Sequence, residues 1–350
     1  MRIAIVGAGG VGGYFGARLA AAGHEVTFVA RGRHLEAVRR SGLLVRSPLG
    51  DVRTSPGSVV ESVADVDGAD LVIVAVKLWD TDDVARQLGA SELAGTPVLS
   101  LQNGVHKDAV LARRLPPESL LGGACFISAF IEEPGVVRHN GTLQRMVFGA
   151  RHPEQEPVAR QFLHACTEAG VDAEVSADVD RVIWEKYVFL VGHSATTTAV
   201  RRPIGVVRSH ERTRVLLRDV MAEAVAVARA SGVALAEDFA ERQLAFCDTL
   251  PADMTSSMHN DLEHGHRLER PGSAGEWPTS PTNSASPRPA TARSPTSWPP
   301  TSTAPRPAPD RRAPEAAGQP AVARLKRTDD QKAAPMRVTP IRPVTMSFTS

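Results

Sequence analysis

"RIAIVGAGGVGGYFGARLAAAGHEVTFVAR", residues 2–31, sets a short β-branched run, Ile3 to Val6, directly before Gly7-Ala8-Gly9-Gly10-Val11-Gly12. An alanine-rich stretch of helix-forming composition follows, and then a second β-type run from Glu25 to Val29. Strand, glycine turn, helix and strand in that order predict the first unit of an open α/β sheet. Each glycine has a physical task in such a turn: Gly7 permits the tight bend, Gly9 lets a pyrophosphate approach the backbone, and Gly12 lets the helix lie close to the strand. The first N–H groups and the positive dipole end of the helix would then face the phosphates. Residues 7 to 12 (Gly7, Ala8, Gly9, Gly10, Val11, Gly12) are therefore the expected dinucleotide cradle.

The end of the second strand bears on which dinucleotide. An acidic residue there would accept hydrogen bonds from a ribose 2′-hydroxyl, but the chain has Ala30-Arg31-Gly32-Arg33. A carboxylate repels a 2′-phosphate and a guanidinium clamps one, so Arg31, with Arg33 beside it, points to NADP(H). Two further buried strands are expected in "ADLVIVAVK", which ends at Lys77, and "TPVLSLQNG", which runs to Asn103 and Gly104. Ligands of open α/β sheets gather at the carboxyl ends of the strands, which is where Lys77 and Asn103 fall. Strands near residues 122–130 and 136–148 would complete an NADP-binding Rossmann domain over residues 1–175.

From Asp178 the pattern turns helical. Leu217, Val220, Met221, Ala224, Val225 and Ala228 share one face of a 3.6-residue period, the mark of a core-facing stripe. Upstream, "DRVIWEKYVFLVGHSATTTAV" buries Lys186 in an apolar stretch, where a charged amine must snorkel, pair or do chemistry.

The chain resembles the ketopantoate reductases (2-dehydropantoate 2-reductases), which use NADPH to make pantoate on the route to coenzyme A. The resemblance covers residues 1 to about 269. It rests on "GAGGVGG" near the N-terminus, "VK" at Val76-Lys77, "QNG" at Gln102-Asn103-Gly104, "WEK" at Trp184-Glu185-Lys186 and "TSSMHNDLEHGHRLE" from Thr255 to Glu269. It implies an N-terminal Rossmann dinucleotide-binding domain followed by an all-α C-terminal domain of the 6-phosphogluconate dehydrogenase-like kind. It also implies that Lys186 and Glu269 are catalytic, that Ser257 binds substrate, and that Asn103 and Lys77 make cofactor-side and active-site contacts.

The chemistry asks for the same residue types. Hydride delivered to a ketone carbon leaves an alkoxide, which needs a proton donor and a nearby cation, and a partly desolvated lysine supplies both. Ser256, Ser257 and neighbouring N–H groups are donors for the carboxylate of a 2-oxo acid. Glu269 could accept a hydrogen bond from a substrate hydroxyl or from the cofactor. One departure from the family pattern concerns the substrate: positions where many members carry asparagine hold Leu190, Ser194 and Ile204, with Ser194 retained as a substrate contact. A more apolar 2-oxo acid, or another ketone, is the alternative substrate. The competing reading from another class is an NADP-binding sensor that turns nothing over.

Bulk properties narrow the rest. Residues 1–269 hold 28 Lys and Arg against 34 Asp and Glu, a mildly acidic body without the basic patch of a nucleic-acid binder. Cys125, Cys166 and Cys247 are widely spaced, which predicts neither a disulfide framework nor a metal site. No apolar run suits a signal peptide or a membrane span, so a cytoplasmic protein with no membrane partner is expected. Pairing into a homodimer is left open. The helical domain would span residues 176–269, and 16 of the 26 prolines crowd into the last 81 residues. This 270–350 tail reads as disordered. Read in the shifted frame, its codons can spell a helix-patterned segment, so a frameshift just after Glu269 is the sharper expectation, with the helical domain then truncated.

Overall fold

The computed structural model describes residues 1–269; the tail, and with it the reading-frame expectation, lies outside the described residues. The sheet is built from β1 (Arg2–Val6), β2 (Glu25–Val29), β3 (Leu44–Arg46), β4 (Val52–Arg53), β5 (Val59–Val60), β6 (Leu71–Val74), β7 (Val98–Ser100), β8 (Leu120–Glu133), β9 (Val136–Gly149) and β10 (Asp172–Val175). Their order is β4-β3-β9-β8-β7-β6-β1-β2-β5, with β10 pairing to β9. From β5 across to β8 every neighbour is parallel. β8 and β9 then form a long antiparallel hairpin, so the sheet as a whole is mixed.

Parallel strands need both faces covered, and the sequence provides for it. In β1 the side chains of Ile3 and Ile5 join one apolar cluster with Phe15, Phe28 and Leu99, while those of Ala4 and Val6 join another with Val72, Val74 and Val84. This is the two-residue alternation of a strand with helices on both sides. Those helices are α1 (Gly10–Ala21), α2 (Gly32–Ser41), α3 (Thr81–Gly89), α4 (Lys107–Leu111) and α5 (Glu156–Glu168). β2 lies on one side of β1 and β6 on the other, so the chain reverses its direction of growth there and leaves a crevice at the carboxyl ends of β1 and β6.

The helical half consists of α6 (Val179–Val200), α7 (Ile204–Ser209), α8 (Glu211–Ala230), α9 (Phe239–Thr249) and α10 (Ser257–Glu263). Its core joins Val188 of α6 to Leu217, Met221, Ala224 and Ala228 of α8 and to Phe239 and Cys247 of α9. The expected α8 stripe is buried except for Val220, which is half-buried at its margin. All three cysteines are buried and free.

Two features seat α6 on the sheet and so place the site. Val179 and Ile183 pack on Ala124 of β8. Beside them Arg151 bridges Asp108 at 2.8 Å and Asp180 at 2.6 Å, and Asp108 also accepts from Lys107 at 2.8 Å. Lys107 is only 1% exposed, and burial pulls its ammonium below the ordinary lysine range despite Asp108. Removing Asp108 would leave the buried Lys107 charge uncompensated, at a cost of about 3–5 kcal/mol, whereas Asp180 is half exposed and its bridge is worth less.

Candidate active site

The glycine turn at the end of β1 has the shape that a dinucleotide needs. Gly7 has φ +105°, a conformation open to glycine and strained for other residues. A Cβ on Gly12 would stand 2.2 Å from the Gly7 carbonyl oxygen, so only glycine lets α1 start this close to the strand. A Cβ on Gly9 would meet nothing within 4 Å, so the backbone there faces open space. Gly9 also caps α1 without a side-chain hydrogen bond, which leaves first-turn N–H groups for an incoming anion. Ala8 is buried, Val11 packs against the core, and Gly10 lies against the backbone of Ala129 in β8. The residues present therefore fit a phosphate-bridged dinucleotide. Arg31 is the residue before α2, 59% exposed at its side chain, with its guanidinium 3.5 Å from Asp83.

The ends of β6 and β7 are locked together by a residue to which the sequence had suggested no role. Gln102 donates to the Val76 carbonyl at 2.9 Å and to Thr81 Oγ1 at 2.8 Å, and accepts from Ser100 Oγ at 3.0 Å. This brace holds the loop carrying Lys77 against the loop carrying Asn103. Across the crevice, Lys186 projects from α6 and donates to Asn103 Oδ1 at 2.8 Å. Its Nζ lies 5.5 Å from the centre of the Phe126 ring. Among the described residues no carboxylate pairs with it. Burial, and to a lesser degree the nearby charge of Lys107, draw the Lys186 ammonium below the ordinary lysine range, while Cys125 opposes them.

Leu190 and Ser194 follow Lys186 at intervals of four on the same face of α6, and both line the crevice with Leu78, Asn103, Ser257, Met258, Asp261 and Glu269. Ile204, by contrast, is fully buried at the start of α7 in the helical core, so its apolar character serves packing.

The Thr255–Glu269 segment closes the crevice from the other side. The Ser256 hydroxyl accepts the His259 N–H at 3.1 Å and contacts Thr197 Oγ1 at 3.1 Å, so this serine is engaged as the cap of α10 and in its packing on α6. Ser257, one residue on, reaches the crevice. His259 Nδ1 lies 2.9 Å from the Thr197 carbonyl; a carbonyl only accepts, so the proton is on that nitrogen. Beyond α10 the chain crosses to the sheet. Arg267 stacks 4.4 Å from the Trp79 ring centre, and Glu269 accepts from the Leu78 N–H at 2.7 Å and from Lys77 Nζ at 3.1 Å. Asp261 is a second carboxylate on Lys77, at 3.5 Å. Burial lowers the Lys77 ammonium, but Glu269 and Asp261 more than offset it and leave it above its ordinary value.

Sequence reasoning missed Asp261, Met258 and the Leu78 N–H. The first was within reach, because Ser257 and Asp261 are four apart in a helical segment and share a face. The N–H of Leu78 had no side-chain signal at all.

Among the described residues no helix is long and apolar enough to cross a membrane, and no group of three or more His, Cys, Asp or Glu is placed to hold a metal ion. Residues 3–153 match the family described as "Ketopantoate reductase PanE/ApbA", and residues 178–279 match "Ketopantoate reductase PanE/ApbA C terminal". A 2-dehydropantoate 2-reductase of Halobacterium salinarum is 37% identical over 271 residues, covering 77% of this chain and 88% of that protein. The crystal structure of a 2-dehydropantoate 2-reductase from Geobacter metallireducens superposes with a TM-score of 0.71 at 31% identity, covering 77% of this chain and 89% of that one. A D-mandelate dehydrogenase solved with NADH and anilino(oxo)acetate shares the fold, with a TM-score of 0.69 at 22% identity over 77% of this chain and 87% of its own. With both halves of the chain matched by the family's models and a relative 37% identical over 271 residues, this chain belongs to the ketopantoate reductase family of oxidoreductases.

Proposed function

We propose that the protein reduces a 2-oxo acid to the 2-hydroxy acid with NADPH, and that 2-dehydropantoate, converted to pantoate, is a substrate. The observation that carries this reading is the Lys186 ammonium: half-buried, held at 2.8 Å by a neutral amide, and without a carboxylate partner among the described residues. An amine so placed can give up a proton more readily than an ion-paired one. A dinucleotide whose pyrophosphate is held by residues 7–12 would supply hydride at the C2 carbonyl carbon. Lys186 holds the C2 oxygen and protonates it as charge develops, and Asn103 fixes the direction of the amine. The amide N–H₂ of Asn103 and the hydroxyls of Ser257 and Ser194 are the donors for the substrate carboxylate. Each oxygen of Glu269 accepts one bond, from Lys77 Nζ or the Leu78 N–H, and keeps a lone pair, so Glu269 both positions Lys77 and the Leu78 loop and can accept from a substrate hydroxyl.

Arg31 supports the phosphorylated cofactor, since it lies just after the second strand, where an NAD-selective site carries an acid. Leu190 in the cleft favours a second reading, the reduction of a more apolar 2-oxo acid by the same chemistry.

The test is cofactor oxidation by the purified protein with 2-dehydropantoate and a panel of other 2-oxo acids, using NADPH and NADH. Turnover with NADPH that is lost in Lys186→Ala, with cofactor binding retained, is the expected result. Full turnover by Lys186→Ala would refute the assignment. Tight NADPH binding with no oxidation by any 2-oxo acid would refute the reductase reading as a whole.

A further inference from the structure

The carboxyl ends of three parallel strands stand level, with Val6 of β1 beside Val29 of β2 on one side and Val74 of β6 on the other. The glycine turn leaves β1 between them, and the Gly7 and Ala8 N–H groups both donate to the Val29 carbonyl, at 3.1 and 3.3 Å. Arg31 lies just after β2, and Asp83 lies in the first turn of α3, which follows β6. Their 3.5 Å ion pair therefore links the two flanks of β1 at the crevice. In a fold of this kind the ribose beside the adenine is read just beyond the second strand, so the pair stands where a 2′-phosphate would be held.

The two partners are held differently. Asp83 is fixed from its own helix, by Arg86 on Oδ1 and by Gln87 on Oδ2 at 2.6 Å. Arg31 has a side chain 59% exposed, with the Asp83 carboxylate set against its guanidinium. A phosphate monoester brings about −1.5 to −2 charges near neutral pH, more than a carboxylate, and its oxygens match the guanidinium fork. Both anions on Arg31 at once would stand close to each other, and like charges side by side repel.

Taking the NADPH reading as given, we propose that Asp83 is a specificity-determining residue for the cofactor. It competes with the 2′-phosphate for Arg31, and so holds the preference for NADPH over NADH below what Arg31 alone would set. NADH carries a hydroxyl at that position, which neither requires the guanidinium nor meets repulsion from the carboxylate. Asp83 therefore weakens one cofactor and spares the other.

Calorimetric titration of the full-length protein with NADPH and with NADH tests this without turnover. Asp83→Asn keeps an oxygen for Gln87 and removes the charge. It should tighten NADPH about three- to fivefold, the upper scale of an exposed ion pair, and change NADH by less than about 1.5-fold. The gain should shrink as salt is raised. In an Arg31→Ala background the same substitution should tighten NADPH by less than about 1.5-fold, since no guanidinium is left to compete for. Asp82→Asn removes an equal charge from the same turn, at a carboxylate 3.8 Å from Arg114, and should leave NADPH binding unchanged. No gain for NADPH in Asp83→Asn, an equal gain in the Arg31→Ala background, or an equal gain from Asp82→Asn overturns the proposal. Tight NADPH binding alongside any of those results leaves the cofactor reading standing, whereas binding of neither nucleotide sinks both.

Discussion

Lys186 of α6 donates to the side-chain carbonyl of Asn103 just after β7 across 2.8 Å, and this bond, with the Glu269 contacts to Lys77 and Leu78, joins the helical half to the sheet at the crevice. The two residues are 83 positions apart in sequence. Their meeting depends on two structural devices: the Gln102 brace that fixes the Asn103 loop, and the Arg151 bridge that seats the start of α6.

Replacement of Lys186 by Met should lower kcat/KM by about 10²–10⁴, the usual contribution of a positioned general acid. The same change should raise stability at neutral pH by about 1 kcal/mol, or about 2–4 °C in Tm, because burial disfavours the charged amine. The sign in pH follows from the lowered value. Between the folded and the ordinary lysine values the unfolded chain binds more protons, so this group makes stability rise with pH there, and the Met variant should lack that rise. In the unaltered enzyme, turnover should fall on the alkaline side at a pH below that of an ordinary lysine. A variant that loses stability while keeping its alkaline limb would count against the assignment.

Ser256 and Ser257 are neighbours with separable tasks. Ser256→Ala removes the cap of α10 and should cost about 1 kcal/mol of stability with little change in the KM for the 2-oxo acid. Ser257→Ala should raise that KM with stability unchanged. Urea denaturation and steady-state kinetics on the two variants decide it, and exchanged outcomes would reverse the assignment.

The pair of Lys77 with Glu269 should tie the segment after α10 to the sheet only modestly, since the Lys77 side chain is 47% exposed. Glu269→Gln keeps an oxygen for the Leu78 N–H but loses the ion pair, so the cost should stay under about 1 kcal/mol and shrink as salt is raised. Because Lys77 is raised above its ordinary value, its stabilisation is complete below the unfolded lysine value and is lost as pH rises through the folded one. Thermal melts of both proteins at low and high salt, near neutral and at alkaline pH, check the size and the sign.

Arg31 should govern the choice between NADPH and NADH. Arg31→Ala should raise the KM for NADPH by about tenfold or more, equivalent to about 1.4 kcal/mol, and leave that for NADH nearly unchanged. An unaltered ratio of the two KM values would assign the guanidinium to its Asp83 contact alone.

The local sequence was enough for whatever depends on short spacing. The turn from Gly7 to Gly12, the apolar strands at 71–74 and 98–100, and the 3.6-residue stripe of α8 were legible because sterics and burial act on neighbours in the chain. Lys186 was legible as well, since a lysine amid apolar helix residues is costly wherever the helix lies. Tertiary structure alone decided which groups are free. Ser256 and Ser257 look equivalent as letters, and the register of α10 on α6 commits the first and presents the second. Leu190 and Ile204 look equally apolar, yet one lines the crevice and the other fills the helical core. Glu269 meets Lys77 from 192 residues away, a pairing that no local rule contains. The physical reason is that hydrogen-bond capacity belongs to residue types, whereas its use up to saturation depends on which partners the packed chain brings within about 3 Å.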